Sequence, residues 1–580
     1  MFFNSWEFLI LLLATLSLYY LPLTGSARRV WQVLLLLVAS ALFYAWSEPR
    51  LLILLGASCL LNAVAVERIL FWKARSSEEE LKADGCELQA ALNADGCKLQ
   101  VAEESSSAPA SGSQLATLQQ ATCNHSSKAR RWLFWTVALN LAFLAFFKYA
   151  GFLAGLLPET PITDSLKHWA IGIPLPVGIS FYTFQGISLV VDVWRDDVSK
   201  HTKQVLAGRG AGRLTSIRDT SFYIAFFPQL VAGPIVKAHE FVDQIGGKCF
   251  RDIDWQIVRR NLVLGYFLKV FVADNLSEQT ALLSAGGAQL AGSGPLNSLP
   301  LLYGYSLQIF ADFAGYSLIA IGLAELFGYR LPINFNFPYL STSITEFWRR
   351  WHLSLSSWLR DYLYIPLGGN RKGSGRTYFN LFLVMFLGGL WHGAAWKFAI
   401  WGSLHGLLLA LERLWGRRRQ ETGHRGQGAG HRGQGTGDRR QEAGERMQGA
   451  PHGAGSLLSP VPCPLSPVSF LRAACAWFVT FHIVSLLWLT FMMPDMASIV
   501  AFFKGVFSGR TGFSGPPIFS LLFYGSAVVL YHAWGWLAEH RAKLAKRLLR
   551  SPFEPILHGV MVFLIFTNPG APRGFIYFQF

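Results

Sequence analysis

Tyr303–Phe327, YGYSLQIFADFAGYSLIAIGLAELF, is the stretch on which the reading of this chain turns. As a helix rising about 1.5 Å per residue, it is long enough to cross a hydrocarbon core about 30 Å thick. Its polar members Tyr305, Gln308, Asp312 and Tyr316 fall at i, i+3, i+7 and i+11, one stripe of a helix. A carboxylate at membrane depth is costly and faces protein or water, so Asp312 is expected to point into a bundle. The stripe either bonds neighbouring helices or lines a substrate tunnel, and the sequence leaves the two readings equal.

Working outward, the whole chain has the same character. Of 580 residues 52% are hydrophobic and 15% charged, with mean hydropathy +0.32; soluble domains carry about 25% charged residues. No water-soluble core absorbs that much apolar sequence. Apolar stretches recur from Trp6 onward, roughly 11 of them long enough to be candidate spans, some short enough to be re-entrant. The expected fold is all-α: a polytopic transmembrane helical bundle of roughly 11 spans with re-entrant and interfacial helices added.

The first apolar run, Phe8–Leu23, is preceded by Glu7 and followed by Arg28 and Arg29, the reverse of a secretory signal, and reads as an uncleaved anchor. Basic residues then gather in alternate loops: Arg28 and Arg29, Lys73 to Arg131, Arg195 to Arg218, Arg413 to Arg446, and Arg541 to Arg550. These are expected in the cytoplasm, and the basic-poor turns Ser47–Arg50 and Leu157–Lys167 outside. The net charge of +16 is then mainly topological, with attraction to anionic lipid second. No compact basic module with stacking aromatics is present, which argues against nucleic-acid binding. The seven cysteines form neither a metal nor a disulfide pattern.

Two polar segments interrupt the membrane sequence. Residues 74–131 hold an imperfect tandem unit, Ala83–Gln89 (ADGCELQ) and Ala94–Gln100 (ADGCKLQ), whose 11-residue period is compatible with a helix. Residues 417–457 repeat a Gly- and Arg-rich heptapeptide without an apolar seam, which excludes a coiled coil. Both are expected to be flexible cytoplasmic loops, and metal binding by His424 and His431 is disfavoured. The organisation is thus residues 1–73, N-terminal transmembrane helices; 74–131, an insertion; 132–416, the catalytic core; 417–457, the repeat loop; and 458–580, C-terminal transmembrane helices.

The chemistry is expected in the core. Ala225–Ile235 (AFFPQLVAGPI) puts two prolines and a glycine into an apolar run, as a re-entrant element lining a cavity would. In Thr345–Tyr364 (TEFWRRWHLSLSSWLRDYLY), Trp348, Trp351, Leu355, Trp358 and Tyr362 recur at spacings of three and four. That predicts an amphipathic helix at the membrane interface with His352 beside its aromatic stripe. The helix from Asn380 carries Trp391-His392-Gly393, an imidazole with small neighbours that would let a substrate approach. Intramembrane ionisable groups are functional hypotheses by default, and a neutral imidazole is the form a general base requires. The tripeptide alone fits a hydrogen-bonded structural histidine better. His405, about 3.6 turns further along a continuous helix, would face nearly the opposite way and is expected to be structural.

Taken together, Pro176–Trp194 (PVGISFYTFQGISLVVDVW), Phe227–Ile235 (FPQLVAGPI), Tyr305–Gly322 (YSLQIFADFAGYSLIAIG), Asn334–Tyr339 (NFNFPY), Phe347–Gly369 (FWRRWHLSLSSWLRDYLYIPLGG), Leu390–Gly406 (LWHGAAWKFAIWGSLHG) and Phe575–Phe580 (FIYFQF) resemble the bacterial membrane-bound O-acyltransferases. The resemblance is greatest to the alginate O-acetylase subgroup, with the lipoteichoic acid D-alanyl transferase more distant. Ala311, Ala314 and Leu318 depart from the bulkier aromatic, hydroxyl and acidic residues expected there.

The resemblance implies His392 as the catalytic histidine and His352 as the second, with Gln308, Asp312, Asn334, Trp391 and Tyr305 lining the tunnel or orienting substrate. It implies acetyl-CoA as a cytoplasmic acyl donor, no bound cofactor, extracytoplasmic acetyltransferase partner proteins, a polysaccharide acceptor and a multi-pass place in the inner membrane. Transfer would be direct, since no G-x-S-x-G nucleophile motif is present. O-acylation of peptidoglycan or teichoic acid is the alternative within the same chemistry. A transporter or export component is the alternative outside it, although no paired broken helices mark two halves.

Overall fold

The computed structural model describes residues 3–46, 48–94, 112–207, 212–230, 233–427, 467–509, 518–550, 552–572 and 574–575. Among the described residues there is no strand, and helices follow one another from Trp6 to Thr567. Six are long and apolar enough to cross a membrane: Gly25–Ala45, Leu51–Ala83, Thr117–Gly155, Pro295–Leu326, Phe470–Met492 and Ile518–His540. A seventh is counted if the bent pair Ala542–Leu549 and Phe553–Thr567 is one span. The chain is therefore an all-α, multi-pass membrane protein. Fewer spans are found than the roughly 11 expected by apolar length, because several apolar stretches, such as Ile179–Arg195, form shorter helices buried inside the protein.

The opening stretch forms the axis. Pro295 sits in the first turn of the Pro295–Leu326 helix, where its missing N–H leaves no bond unmade. In that helix 89% of the most apolar window is buried, against 17% for Thr117–Gly155, so one is enclosed by protein and the other faces outward. Beside the axis runs Trp255–Tyr266, which continues as a π-turn over Phe267–Ala273. The two helices touch through glycine: a Cβ on Gly265 would lie 2.8 Å from the Ile319 nitrogen, and one on Gly315 2.8 Å from the Gly265 carbonyl oxygen.

The insertion departs from expectation. Residues 74–94 complete the helix Leu51–Ala94, and residues 112–131 begin the helix Gly112–Gly155. The pair is joined beyond the apolar part by His125 to Glu79 at 3.0 Å, by Lys128 over the Trp72 ring at 4.3 Å, and by Ser76 donating to the Thr122 carbonyl. Its ends are paired helices, because polar residues outside a bilayer can still close a helix–helix contact. The first tandem unit lies in helix; the second, after Ala94, lies outside the described residues. So do residues 428–457 of the repeat, including His431, although its first part extends the helix Trp396–Gln427.

The Pro/Gly-broken segment interrupts the helix that enters it. The helix Arg213–Ala225 stops, one turn forms over Phe227–Leu230, and the backbone from Gly233 to Lys237 is not helical. What satisfies it is protein: Ser40 Oγ accepts from the Phe227 N–H at 3.1 Å, Ser354 Oγ from the Ile235 N–H at 3.0 Å, and the Tyr223 hydroxyl donates to the Val236 carbonyl at 2.7 Å.

Three of the basic loops placed on one side meet at one end of the bundle. Arg29 reaches Asp219 at 2.9 Å, Arg213 reaches Glu67 at 2.8 Å, and Lys203 and Lys73 both reach Asp196.

Candidate active site

The interfacial helix expected over residues 345–364 is a buried, broken element instead. Ser343 caps a short helix, Ile344–Trp348, by accepting from the Glu346 N–H. The chain then turns through His352, whose φ of +46° is left-handed, before the helix Leu353–Leu359 and a π-turn over Arg360–Tyr364. The aromatic stripe predicted to anchor in lipid packs inward: Trp351 is 1% and Trp358 6% exposed. Apolar periodicity marks a buried face without saying whether lipid or protein covers it.

His352 is fully buried. Asn334 holds it there. The Asn334 carbonyl accepts from the Leu353 N–H at 2.9 Å, and the Asn334 side-chain oxygen accepts from the Ser354 N–H at 3.3 Å and the Ser354 hydroxyl at 2.9 Å. Because a backbone N–H only donates, these contacts identify Oδ1; the amide nitrogen faces Ser317 Oγ at 3.1 Å. His352 Nδ1 lies 3.1 Å from the same Oδ1 and must donate to it, so that in the neutral form of the ring Nε2 is the accepting nitrogen. A left-handed non-glycine residue is costly and persists where its surroundings over-determine it, as they do here.

His392 ends the helix Gly373–His392 and is 4% exposed. Its ring sits among Trp391, Trp401 and Phe491, at centroid distances of 5.0, 5.2 and 5.3 Å. The two imidazoles share Trp391, whose ring centroid is 6.1 Å from that of His352. Trp391 and Trp358 both stack on Phe184, the latter at 3.7 Å with its indole N–H bonded to the Phe184 carbonyl. The helix end is capped by two side chains that the sequence reading passed over. Lys148 donates to the carbonyls of Trp391 and His392, the latter at 3.1 Å, and the Tyr149 hydroxyl to that of Leu390 at 2.7 Å. An amine donor at a helix C-terminus satisfies carbonyls that have no partner within the helix. The signal was present: Lys148 is a lone cation in an apolar run, the kind of residue that intramembrane cost singles out.

The glycines around His392 serve packing. A Cβ on Gly389 would stand 2.3 Å from the Phe398 carbonyl, and one on Gly393 2.1 Å from the Phe398 ring. They let Trp396–Gln427 fold back along Gly373–His392, so the two are not the continuous helix assumed above. His405 consequently faces the same aromatic cluster as His392. It lies 4.8 Å from Trp401 by ring centroids, and the Trp348 indole N–H donates to its Nδ1 at 3.3 Å.

Of the axial stripe, Gln308 accepts from the Thr280 hydroxyl, and Asp312 pairs at 2.9 Å with Lys269, which also binds Asp274 at 2.6 Å. These bonds tie the axis to its neighbour. Tyr305 is buried on the same stripe. It is Phe313, next to Asp312, that reaches the site, edge-on to His352 at 4.6 Å. The structure thus brings together His392, His352, Trp391 and Asn334, and it engages Gln308 and Asp312 in bonds to other helices.

Comparison with known proteins gives a single answer about kinship. The profile of the MBOAT, membrane-bound O-acyltransferase family, matches residues 2–430. A probable alginate O-acetylase of Pseudomonas putida is 37% identical over 418 residues, 72% of this chain and 71% of that one. A peptidoglycan O-acetyltransferase of Helicobacter pylori is 38% identical over 49% of this chain and 55% of its own. A teichoic acid D-alanyltransferase of Bacillus subtilis is 29% identical over 40% and 58%.

Proposed function

The chain belongs to the membrane-bound O-acyltransferase family, and from that premise we propose that it moves an acetyl group from cytoplasmic acetyl-CoA to hydroxyls of an extracytoplasmic, alginate-like polysaccharide. That it is an O-acyltransferase follows from the family and from relatives named for acyl transfer. The transporter alternative gives way to this membership. The Pseudomonas putida alginate O-acetylase matches 72% of this chain, against 49% for the peptidoglycan enzyme and 40% for the teichoic acid enzyme, which favours the alginate-like acceptor. The inner membrane and extracytoplasmic partner proteins that complete the transfer belong to the same reading.

One observation carries the assignment of roles: two buried imidazoles, His352 and His392, gather about one indole, that of Trp391, at ring-centroid distances of 6.1 and 5.0 Å. His392 takes the proton of the acceptor hydroxyl as its oxygen attacks the thioester carbonyl carbon. The C–O bond forms, the C–S bond breaks, and the departing thiolate of coenzyme A takes the proton back from the imidazolium. His352 accepts a hydrogen bond at Nε2 and so orients the acceptor hydroxyl. Asn334 is a positioning residue, because its amide is taken up by Ser317, Ser354 and His352.

The test follows labelled acetyl from acetyl-CoA into the external fraction of proteoliposomes with the native partners. His392→Gln should lose about 10² to 10⁴ in rate at normal membrane abundance. His352→Gln should lose less and raise KM for the acceptor. Wild-type rates from a well-folded His392→Gln protein would overturn the assignment.

A further inference from the structure

The basic loop between the apolar helices Ile518–His540 and Phe553–Thr567 is itself a helix, Ala542–Arg550 (AKLAKRLLR). With about 3.6 residues per turn, Lys543, Lys546 and Arg547 share one face of it, and Leu544, Ala545, Leu548 and Leu549 share the other. The three cations are exposed, whereas Ala545 is buried and Leu548 and Leu549 are half-buried against the protein. Leu544, at the border between the two faces, is 47% exposed. The helix is turned 69° from Phe553–Thr567, so it runs across its apolar neighbour instead of prolonging it. A short basic amphipathic helix tethered in this way lies along a bilayer surface, with its charges among the headgroups. Exposed aromatic rings mark that level. Trp536 stacks on His540 at 4.8 Å in the last turn of the preceding span, and Trp255 opens the helix whose Arg259 and Arg260 bind Glu554.

The protein does not answer this charge. The carboxylates that flank the helix in sequence are already taken. Glu539 binds Arg350 through both oxygens, at 2.6 and 3.2 Å, and Glu554 binds Arg260 through both, at 2.6 and 2.8 Å, and Arg259 at 3.1 Å. Among the described residues no carboxylate pairs with Lys543, Lys546 or Arg547. Three like charges within about one turn repel one another and draw an anion from outside the chain. A soluble anion would meet the cations and leave Leu544 in water. A phospholipid meets both, with its phosphate at the cations and its acyl chains beside the leucine.

We infer that the helix Ala542–Arg550 seats anionic phospholipid, with Lys543, Lys546 and Arg547 holding headgroup phosphates of lipids whose chains pack beside Leu544. The inference is independent of which acyl donor and acceptor the histidine site serves.

The experiment places the full chain in phosphatidylcholine nanodiscs with a trace of spin-labelled phosphatidylglycerol or spin-labelled phosphatidylcholine, and reads the fraction of label immobilised on the protein. In wild type phosphatidylglycerol should be enriched over phosphatidylcholine at least about threefold, and the enrichment should fall as salt is raised. Lys543→Gln with Lys546→Gln and Arg547→Gln should lower the enrichment at least about twofold. Lys543→Arg with Lys546→Arg, which keeps the charge, should retain it. Lys82→Gln with Arg130→Gln and Lys200→Gln, which removes as many exposed cations from other basic loops, should retain it too. Equal losses in the two triple variants would overturn the seat, because the attraction would then belong to the basic loops as a whole. Stronger displacement by inorganic phosphate than by chloride at matched ionic strength would overturn it in favour of a site for free anions. No enrichment in wild type would overturn it outright and leave the three cations to an acidic protein partner.

Discussion

At the scale of single residues, the site depends on groups that hold the histidines as much as on the histidines. His392 is the last residue of its helix, so its position is set by what caps that end, and the caps are Lys148 and Tyr149 from a helix distant in sequence. Lys148→Met removes the donor. With carbonyls left unmet in an apolar interior, the end of the helix should shift, and a misplacement of about 1 Å costs on the order of a hundredfold in rate. We therefore expect Lys148→Met to lower acetyl transfer at least about tenfold at matched abundance, with Lys148→Arg retaining most of it. Labelled acetyl transfer in proteoliposomes checks this, and wild-type rates from Lys148→Met would show that the cap is dispensable. Asn334 acts in the same way on His352. The sequence singled out Asn334 by resemblance, but that its oxygen selects the ring tautomer is visible only once Ser354 is seen beside it.

At the scale of elements, the hairpin of Gly373–His392 and Trp396–Gln427 is the part most sensitive to change. Its closeness rests on Gly389 and Gly402: a Cβ on Gly402 would stand 2.3 Å from the Met385 carbonyl oxygen, a backbone atom with no room to move. Gly402→Ala should cost about 1–3 kcal/mol as overpacking and lower the thermal unfolding temperature of the purified protein. Gly375→Ala, in the same hairpin but with nothing within 4 Å, should leave it unchanged. Equal unfolding temperatures for the two would contradict the packing described. The same hairpin shows why His405 was misplaced. Helical periodicity is valid only within one helix, and the break at Gly393–Ala395 resets the face that each later residue presents. In Thr345–Tyr364 the periodicity was real but the break at His352 was not legible, because a left-handed histidine carries none of the glycine signal that marks such turns.

For the whole molecule, the basic loops provide the organising asymmetry. Their meeting at one end, through Arg29–Asp219, Arg213–Glu67 and the pair of lysines on Asp196, agrees with a common side for all three. Single cysteines at Ser77 and Arg413, in a protein whose seven native cysteines have been replaced, should react with an impermeant thiol reagent only from the cytoplasmic face. One at exposed Glu159 should react only from the opposite face. Reaction of Ser77 and Glu159 from the same side would undo the topology and the donor-side reading with it.

By itself, the amino-acid sequence determined the class of solvent and the class of fold, since the free energy of placing apolar and charged residues in a bilayer depends on composition along the chain. It also determined kinship, because ordered motifs survive without knowledge of how they pack. Tertiary structure alone decided which apolar faces meet lipid and which meet protein, and it sent the Trp351 stripe inward. It decided that Gln308 and Asp312 bind helices while Asn334 binds His352, and that Lys148 caps the helix of His392. The reason is physical: periodicity reports that a face is buried, whereas the partner that buries it is chosen by residues far away in the chain.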